Sequence, residues 1–198
     1  DVIRMNLRNS FPQKTDKEIE QLVRQYYQYM CDLSLETFKT MKMTPEQHRK
    51  RVILHQPEIL DELYKANQSI VIVLGHYGNW EWFGPSITLN TRYQLVVIFR
   101  PLSQPYFDRM MTGWRTRFGT EITPVQQTIR TMAANRNRVT ATAFVADQAA
   151  PINAYWTTFL NQDTSVFTGA EKLATKFFVR SKFYSNLWAS MLVHFLSF

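Results

Sequence analysis

The sequence has little cysteine, little glycine and no long apolar run. Because Cys31 is the only cysteine among 198 residues, an internal disulfide and any multi-cysteine zinc or iron–sulfur site are excluded. Six glycines and eight prolines are too few for a collagen-like or low-complexity chain. The best apolar stretch, Ile70 to Leu74, is broken at Gly75, far short of the roughly 20 residues of a membrane-spanning helix. With 45% hydrophobic residues, the chain fits one globular domain with a real core.

Acidic residues are also scarce in the middle of the chain. The overall charge is +7, and the section from residue 92 to residue 138 has eight arginines, no lysine and two acids. Guanidinium groups bind phosphate or carboxylate through two parallel hydrogen bonds. This section therefore predicts an anionic substrate, carrier or membrane surface, although a solvated helix face fits the same pattern.

The first 68 residues have the periodicity of helices. Thr15 with Glu18 predicts a capping box, and the apolar residues that follow recur every 3.6 residues. Thr44 followed by Pro45 repeats the start signal, and Pro57 begins a third amphipathic segment. We therefore expect a helical N-terminal layer over residues 1–68.

After residue 68, β-branched runs alternate with helical patterns. Strands are predicted at 70–74, 93–99 and 139–146, a short extended piece at 121–124, and helices at 104–118, 125–135 and from 168 through 174. A loop rich in alanine, proline and asparagine follows the strand at 139–146. This order predicts an α/β fold with a mostly parallel sheet and crossover helices. We expect a single domain over residues 1–198, with the α/β core at 69–178 and an atypical end at 179–198.

The segment from residue 70 to residue 84 is the most informative for chemistry. A buried strand delivers His76 at its carboxyl end, where open α/β sheets place their sites. Asn79 is placed to cap the next helix, and Glu81 falls in its first turn. Five positions apart across a strand-to-helix turn, Glu81 is expected to accept a hydrogen bond from one ring nitrogen of His76 while the other faces a substrate proton. Trp80 and Phe83 share a face, either in an acyl groove or in the core.

Three ordered blocks resemble the lysophospholipid and lipid A biosynthesis acyltransferase family. The run GHYGNWEW, from Gly75 to Trp82, resembles the family's H-x-x-x-x-[DE] motif. An Arg-Pro at residues 100–101, with the Arg-Phe-Gly of residues 117–119 after it, is similar to the second block. An Asp-Gln at residues 147–148, followed by Thr-Gly at residues 168–169, is similar to the third. The resemblance covers roughly residues 50 to 178.

The resemblance implies an α/β enzyme that moves a fatty acyl group from a thioester to a lipid hydroxyl. It gives His76 the role of general base and Glu81 that of the acid that orients it. It also implies a group of substrate-binding residues: Arg100, Arg117, Asp147 and Asn79. Arg100 would hold an acceptor phosphate or steady the developing oxyanion, and Asp147 is expected either to pair with an active-site arginine or to be a turn residue. No cofactor or metal is implied; the donor is acyl carrier protein or coenzyme A carrying the acyl group.

The implied setting is the cytoplasmic face of a bacterial inner membrane, with a lipid A precursor or related lysolipid as acceptor and no nucleic-acid partner. Because the chain opens at Asp1, we expect an anchor upstream of residue 1 and a peripheral attachment of this chain. Asn161 stands where the family often has glycine, and residues 179–198 differ from its usual continuation. Two alternatives stay open: an acyltransferase for a lysophospholipid or an amino-acid lipid, and a non-catalytic lipid- or anion-binding remnant of the family.

Overall fold

The computed structural model describes residues 2–148 and 154–177, so the predicted atypical end at 179–198 lies outside the described residues. The helical N-terminal layer is confirmed: α1 (Val2–Ser10), α2 (Asp16–Lys39), α3 (Pro45–Arg51) and α4 (Pro57–Lys65). The predicted capping box is present, since the Thr15 side chain accepts from Glu18 N–H. The helix start predicted at Thr44 also has a capping box, in which the Thr44 side chain accepts from Gln47 N–H. A 3₁₀ turn, Thr40–Lys42, extends the end of α2.

Within the described residues, the main sheet has four parallel strands, and its central pair is not consecutive in the chain. The strands are β1 (Ile70–Leu74), β2 (Gln94–Phe99), β3 (Glu121–Pro124) and β4 (Thr140–Val145), in the order β1-β4-β2-β3. In the register, Leu74 pairs with Val145 on one side of β4 and Ile98 pairs with Phe144 on the other. The carboxyl ends of β1, β4 and β2 therefore meet at one edge of the sheet.

Helices follow the strands as expected for crossovers. They are α5 (Phe83–Asn90), α6 (Pro105–Thr116), α7 (Thr128–Ala134) and α8 (Gly169–Phe177). Successive side chains of the strands point to opposite faces of the sheet. Ile72 and Leu95 pack in one apolar cluster, and Val96 and Phe144 pack in another. A sheet that is apolar on both faces explains the continuous hydrophobic strands in the sequence. The α/β fold class is confirmed, and the domain boundaries stay a prediction.

A hairpin stands where the sequence predicted only a loop. Strands β5 (Tyr155–Phe159) and β6 (Gln162–Val166) pair antiparallel, apart from the main sheet. Leu160 and Asn161 have φ values of 49° and 60°, the left-handed pair of a tight two-residue hairpin turn. Asparagine tolerates this conformation better than most residues, so Asn161 suits the position where glycine is frequent in the family. Every residue of β5 is exposed, which removes the apolar alternation that would have predicted it.

Candidate active site

Three of the predicted site residues follow neighbouring strands at the same edge of the sheet. His76 lies two residues past β1, Asp147 two residues past β4 and Arg100 directly after β2. The backbone N–H of Ala146 donates to the carbonyl of Leu74 at 2.9 Å, which continues the pairing of β1 and β4 beyond the strands. We call this region the carboxyl edge, and it is where open α/β sheets bind ligands.

His76 is held by both oxygens of one carboxylate. Its backbone N–H donates to Oδ2 of Asp147 at 2.7 Å, and its ring Nδ1 lies 2.6 Å from Oδ1 of Asp147. The His76 side chain is 27% exposed and that of Asp147 is 43% exposed, so the pair is open to solvent. A proton on Nδ1 would then be donated to Asp147, and Nε2 would present its lone pair outward. The expected partnership of Asp147 with an arginine is not what the structure shows.

Gly75 leaves the space that this contact needs. A Cβ atom added at Gly75 would lie 2.9 Å from Oδ2 of Asp147, closer than real Cβ contacts come. Glycine at this position therefore lets the Asp147 carboxylate approach the backbone of the residue before His76. The Trp80 ring meets the His76 ring edge to face, with 4.7 Å between ring centroids.

The carboxylate expected on His76, that of Glu81, is instead paired with Arg115. Nη2 of Arg115 lies 2.5 Å from Oε1 of Glu81, and Nε donates to Oε2 at 2.9 Å. The expected contact fails because Glu81 lies in a 3₁₀ turn, Trp80–Trp82, beside α6, where the guanidinium occupies both carboxylate oxygens. Burial opposes the charge of Arg115, but the hydrogen bonds and negative charge of Glu81 outweigh it and raise the pKa of Arg115.

Asn79 does not cap a helix through its side chain, contrary to expectation. The Asn79 side chain makes no capping hydrogen bond; its Nδ2 donates to Oε2 of Glu36 in α2 at 3.0 Å. The residue is only 2% exposed, and its Oδ1 has no hydrogen-bond partner among the described residues. A side chain so buried is not open to a substrate in this structure, so the predicted substrate contact is not supported. Phe83 is likewise buried in the core, at 6% exposure, rather than lining a groove.

The two arginines predicted to bind substrate have different surroundings. Arg117 donates from Nη1 to the carbonyl of Met41 at 2.7 Å, and its guanidinium lies 4.9 Å from the centre of the Phe118 ring. These contacts place Arg117 against the end of α2 instead of at the carboxyl edge. Arg100 is exposed at that edge and forms no ion pair with any residue that the structure describes. Of the two, Arg100 is the one that lies at the carboxyl edge, directly after β2, and the substrate role of Arg117 stays a prediction.

Besides the contact of His76 with Asp147, sequence reasoning missed three contacts around this site. The spacing of Arg115 from Glu81 in the sequence does not predict their ion pair, because the two residues lie on different elements. The hydroxyl of Tyr29 donates to the carbonyl of Gly78 at 3.1 Å, and Glu36 holds Asn79. The helical period of α2 was visible in the sequence, but the element that it packs against was not. No group of three or more metal-ligating side chains occurs in residues 2–148 and 154–177.

Comparison with known proteins agrees with the motif pattern. The profile of the family described as bacterial lipid A biosynthesis acyltransferase matches residues 1–180, most of the chain. A search of curated proteins found no match. Within the described ranges, no helix combines the length and apolar character needed to span a bilayer. The resemblance drawn from the three sequence blocks is confirmed by the profile match: this chain belongs to the bacterial lipid A biosynthesis acyltransferase family.

Proposed function

We propose that this chain transfers a fatty acyl group from an acyl carrier protein or coenzyme A thioester to a hydroxyl of a lipid A precursor or related lysolipid. Membership of the family supports acyl transfer to a lipid in general. The observation that carries the finer proposal is the His76–Asp147 pair at the carboxyl edge, with Nδ1 engaged at 2.6 Å and the ring partly exposed. This is the arrangement of a general base held in one orientation.

In the proposed step, Nε2 of His76 takes the proton of the acceptor hydroxyl as its oxygen attacks the thioester carbonyl carbon. The tetrahedral intermediate then collapses, the carbon–sulfur bond breaks, and the departing thiolate receives the proton from the imidazolium. Because a thioester is already an activated acyl group, one well-placed base is sufficient and no acyl-enzyme is needed. The products are the ester and the free thiol of the carrier.

Asp147 is proposed to take the orienting role that the sequence reasoning gave to Glu81. A carboxylate on Nδ1 fixes the tautomer and stabilises the imidazolium that forms during the reaction. Glu81 would then act through its ion pair with Arg115, which attaches the turn after His76 to α6. Arg100 is the proposed contact for an acceptor phosphate or for the developing oxyanion, since its charge is not paired within the described residues.

We further propose that the carboxyl edge faces an anionic bilayer at the cytoplasmic side of the inner membrane. Large apolar side chains are exposed around it, after β1, β2 and β3: Tyr77, Leu102, Tyr106, Phe107, Val125 and Ile129. Tyr77, next to His76, is 88% exposed, and Tyr106 is 73% exposed. Exposed arginines stand among them at positions 100, 109 and 130. Apolar side chains with arginines beside them suit the boundary between acyl chains and phosphate groups.

The test is transfer of a radiolabelled acyl group from acyl carrier protein and from coenzyme A to extracted lipid acceptors. His76→Ala should lower kcat by at least the roughly 100-fold typical of a lost general base. His55→Ala is the matched control, because His55 is exposed and takes no part in the contacts between His76 and Asp147. Equal turnover in the two variants would contradict the base role. Turnover by none of the proteins, with binding of lipid retained, would favour the non-catalytic remnant.

The membrane proposal has a separate test that does not need turnover. The chain should sediment with vesicles that contain phosphatidylglycerol more than with vesicles of phosphatidylcholine alone. Replacing both Tyr106 and Ile129 by serine should reduce that binding, whereas replacing Val2 and Leu35, which are 66% and 69% exposed on the helical layer, should not. Equal losses in the two double variants would overturn the assignment of the carboxyl edge as the membrane face.

A further inference from the structure

Helix α2 contacts the loop that carries His76 and Glu81, which we call the motif loop and define as residues 75–82. The Tyr29 hydroxyl donates to the carbonyl of Gly78 at 3.1 Å, and Nδ2 of Asn79 donates to Oε2 of Glu36 at 3.0 Å. Tyr29 and Glu36 are seven residues apart, two turns of helix, so they lie on one face of α2. Two successive residues of the motif loop are therefore bonded to one helix face.

The attachment continues beyond the end of α2. Nε1 of Trp82 donates to Oγ1 of Thr40 at 2.7 Å, and both residues are buried, at 4% and 5% exposure. The three residues that bind the motif loop follow one another along α2 and the turn after it: Tyr29, Glu36 and Thr40. The loop residues that they bind occur in the same order: Gly78, Asn79 and Trp82. Asn79 lies at the middle of these three contacts and is 2% exposed. The contacts thus run from near His76 to the residue after Glu81.

The motif loop has few internal contacts that would fix its path. Between β1 and the 3₁₀ turn it has no regular secondary structure, and Gly78 has a φ of +60°. Asn79 has φ −91° and ψ 79°, outside the helical and extended regions. The hydrogen bond to Glu36 satisfies one buried polar group of this residue, and a bond to a carboxylate is roughly twice as strong as one between neutral groups. The direction of the loop after His76 therefore depends on the hydrogen bonds that it forms with α2.

We propose that Glu36 and Tyr29 are positioning residues, which hold the motif loop so that His76 and Glu81 project toward their partners. Neither side chain touches the reacting atoms, and both act through the backbone or side chain of the loop. The proposal builds on the proposed function for its effect on turnover, and it goes beyond that function by giving the N-terminal helical layer a part in the chemistry.

The first experiment compares steady-state kinetics of matched variants on α2. A displacement of a catalytic group by about 1 Å can lower kcat roughly 100-fold, and Glu36→Ala should lower kcat by up to that factor. KM for the thioester should stay within about 2-fold of the parent value. Glu36→Gln should recover most of the activity, because its amide oxygen can still accept from Asn79. Asp32→Ala removes an exposed carboxylate one turn away and should leave kcat unchanged.

Tyr29→Phe should lower kcat, and Tyr27→Phe, which removes a hydroxyl from a 51% exposed tyrosine, should not.

A second measurement separates this inference from the proposed function. Backbone hydrogen exchange should be at least about 10-fold faster at the amides of His76 and Trp82 in Glu36→Ala and Tyr29→Phe than in the two control variants. Those amides are bonded to Asp147 and to the carbonyl of Asn79 in the parent chain. If the parent chain has no acyltransferase activity but exchange is faster in the two variants, the positioning role is supported and the proposed function fails. If the parent chain is active and the two variants match their controls in both exchange and kcat, the positioning role alone is overturned. If Glu36→Ala does not fold, the comparison rests on Tyr29→Phe.

Discussion

Arg115 and Glu81 form a two-point ion pair between α6 and the 3₁₀ turn after His76. The two contacts measure 2.5 Å and 2.9 Å, and the side chains are 23% and 13% exposed. A pair of this kind is a weak source of net stability, because both charges lose water. Its removal from one side only is costly, since the remaining charge has no replacement partner. The pair therefore fixes geometry more than it adds stability.

Arg115→Ala should lower the free energy of unfolding by roughly 3 kcal/mol, because Glu81 is left without its partner. Arg138→Ala is the control: it breaks a pair with Glu121 whose side chains are 49% and 43% exposed. That change should cost less than about 1 kcal/mol. Urea unfolding of the three proteins gives both values, and equal losses would contradict the distinction between the two pairs.

Asp147→Asn should reduce kcat by about 100-fold or more while the protein stays folded. Asparagine offers one oxygen where His76 uses two, and it gives no charge to stabilise an imidazolium. Glu81→Gln should reduce kcat less and stability more, because Glu81 faces Arg115. Steady-state acyl transfer and thermal unfolding of both variants test this contrast. A larger loss of kcat in Glu81→Gln would restore the assignment made from the sequence.

Gly75→Ala should lower kcat through the Asp147 carboxylate. The new methyl group would lie 2.9 Å from Oδ2, which is bonded to the His76 amide and so cannot simply swing away. Gly113→Ala is the matched change, since a Cβ there meets no atom within 4 Å. Because Gly113 lies inside α6, this control should raise the free energy of unfolding by about 0.5 to 1 kcal/mol and leave kcat unchanged. Equal activities for the two alanine variants would show that Asp147 adjusts freely.

His48 should make the stability of the fold depend on pH. The residue is 0% exposed, and neither ring nitrogen has a hydrogen-bond partner among the described residues. Burial, with the nearby charges of Arg117 and Arg51, lowers the pKa of His48 from 6.5 to about 4. The unfolded chain therefore binds this proton at a higher pH than the folded chain does, and stability falls as the pH drops from 6.5 toward 4.

The expected loss over that interval is roughly 3 kcal/mol, and it levels off below the lower pKa. His48→Leu should remove this component and leave stability near neutral pH within about 1.5 kcal/mol, because no hydrogen bond is lost. Subtracting the unfolding free energies of the two proteins at each pH isolates the contribution of His48. His55→Leu, at an exposed site, serves as the control. A difference that does not change with pH would rule out a buried neutral histidine.

The main strands and the starts of the helices were open to prediction because their signals are local. The predicted bounds of the strand at 70–74 agree with those of β1. Thr15 and Thr44 mark the starts of their helices because each has a capping partner three positions later. The hairpin of β5 and β6 could not be predicted in this way, since exposed strand residues lack the alternation of apolar and polar residues of a half-buried strand.

The position of His76 at the carboxyl edge was predictable from the sequence, but its hydrogen-bond partner was not. A carboxylate five residues away in sequence looked closest, yet the one in contact is 71 residues away. Its approach depends on β4 inserting between β1 and β2, which no local pattern encodes. The same limit applies to Glu36 and Arg115, whose partners lie on other elements.

The position of β4 has a consequence for the order in which the molecule assembles. Strands β1 and β2 are both made earlier than β4, yet neither pairs with the other, and each pairs directly with β4. During synthesis, β2 and β3 can associate as soon as both have emerged, whereas β1 must wait for residues 140–145. Such long-range parallel pairing is slow, so the sheet should close late in folding. His76 therefore meets the Asp147 carboxylate only after β4 has been synthesised and has paired with β1, and a ribosome-stalled chain ending before residue 140 should leave β1 open to protease.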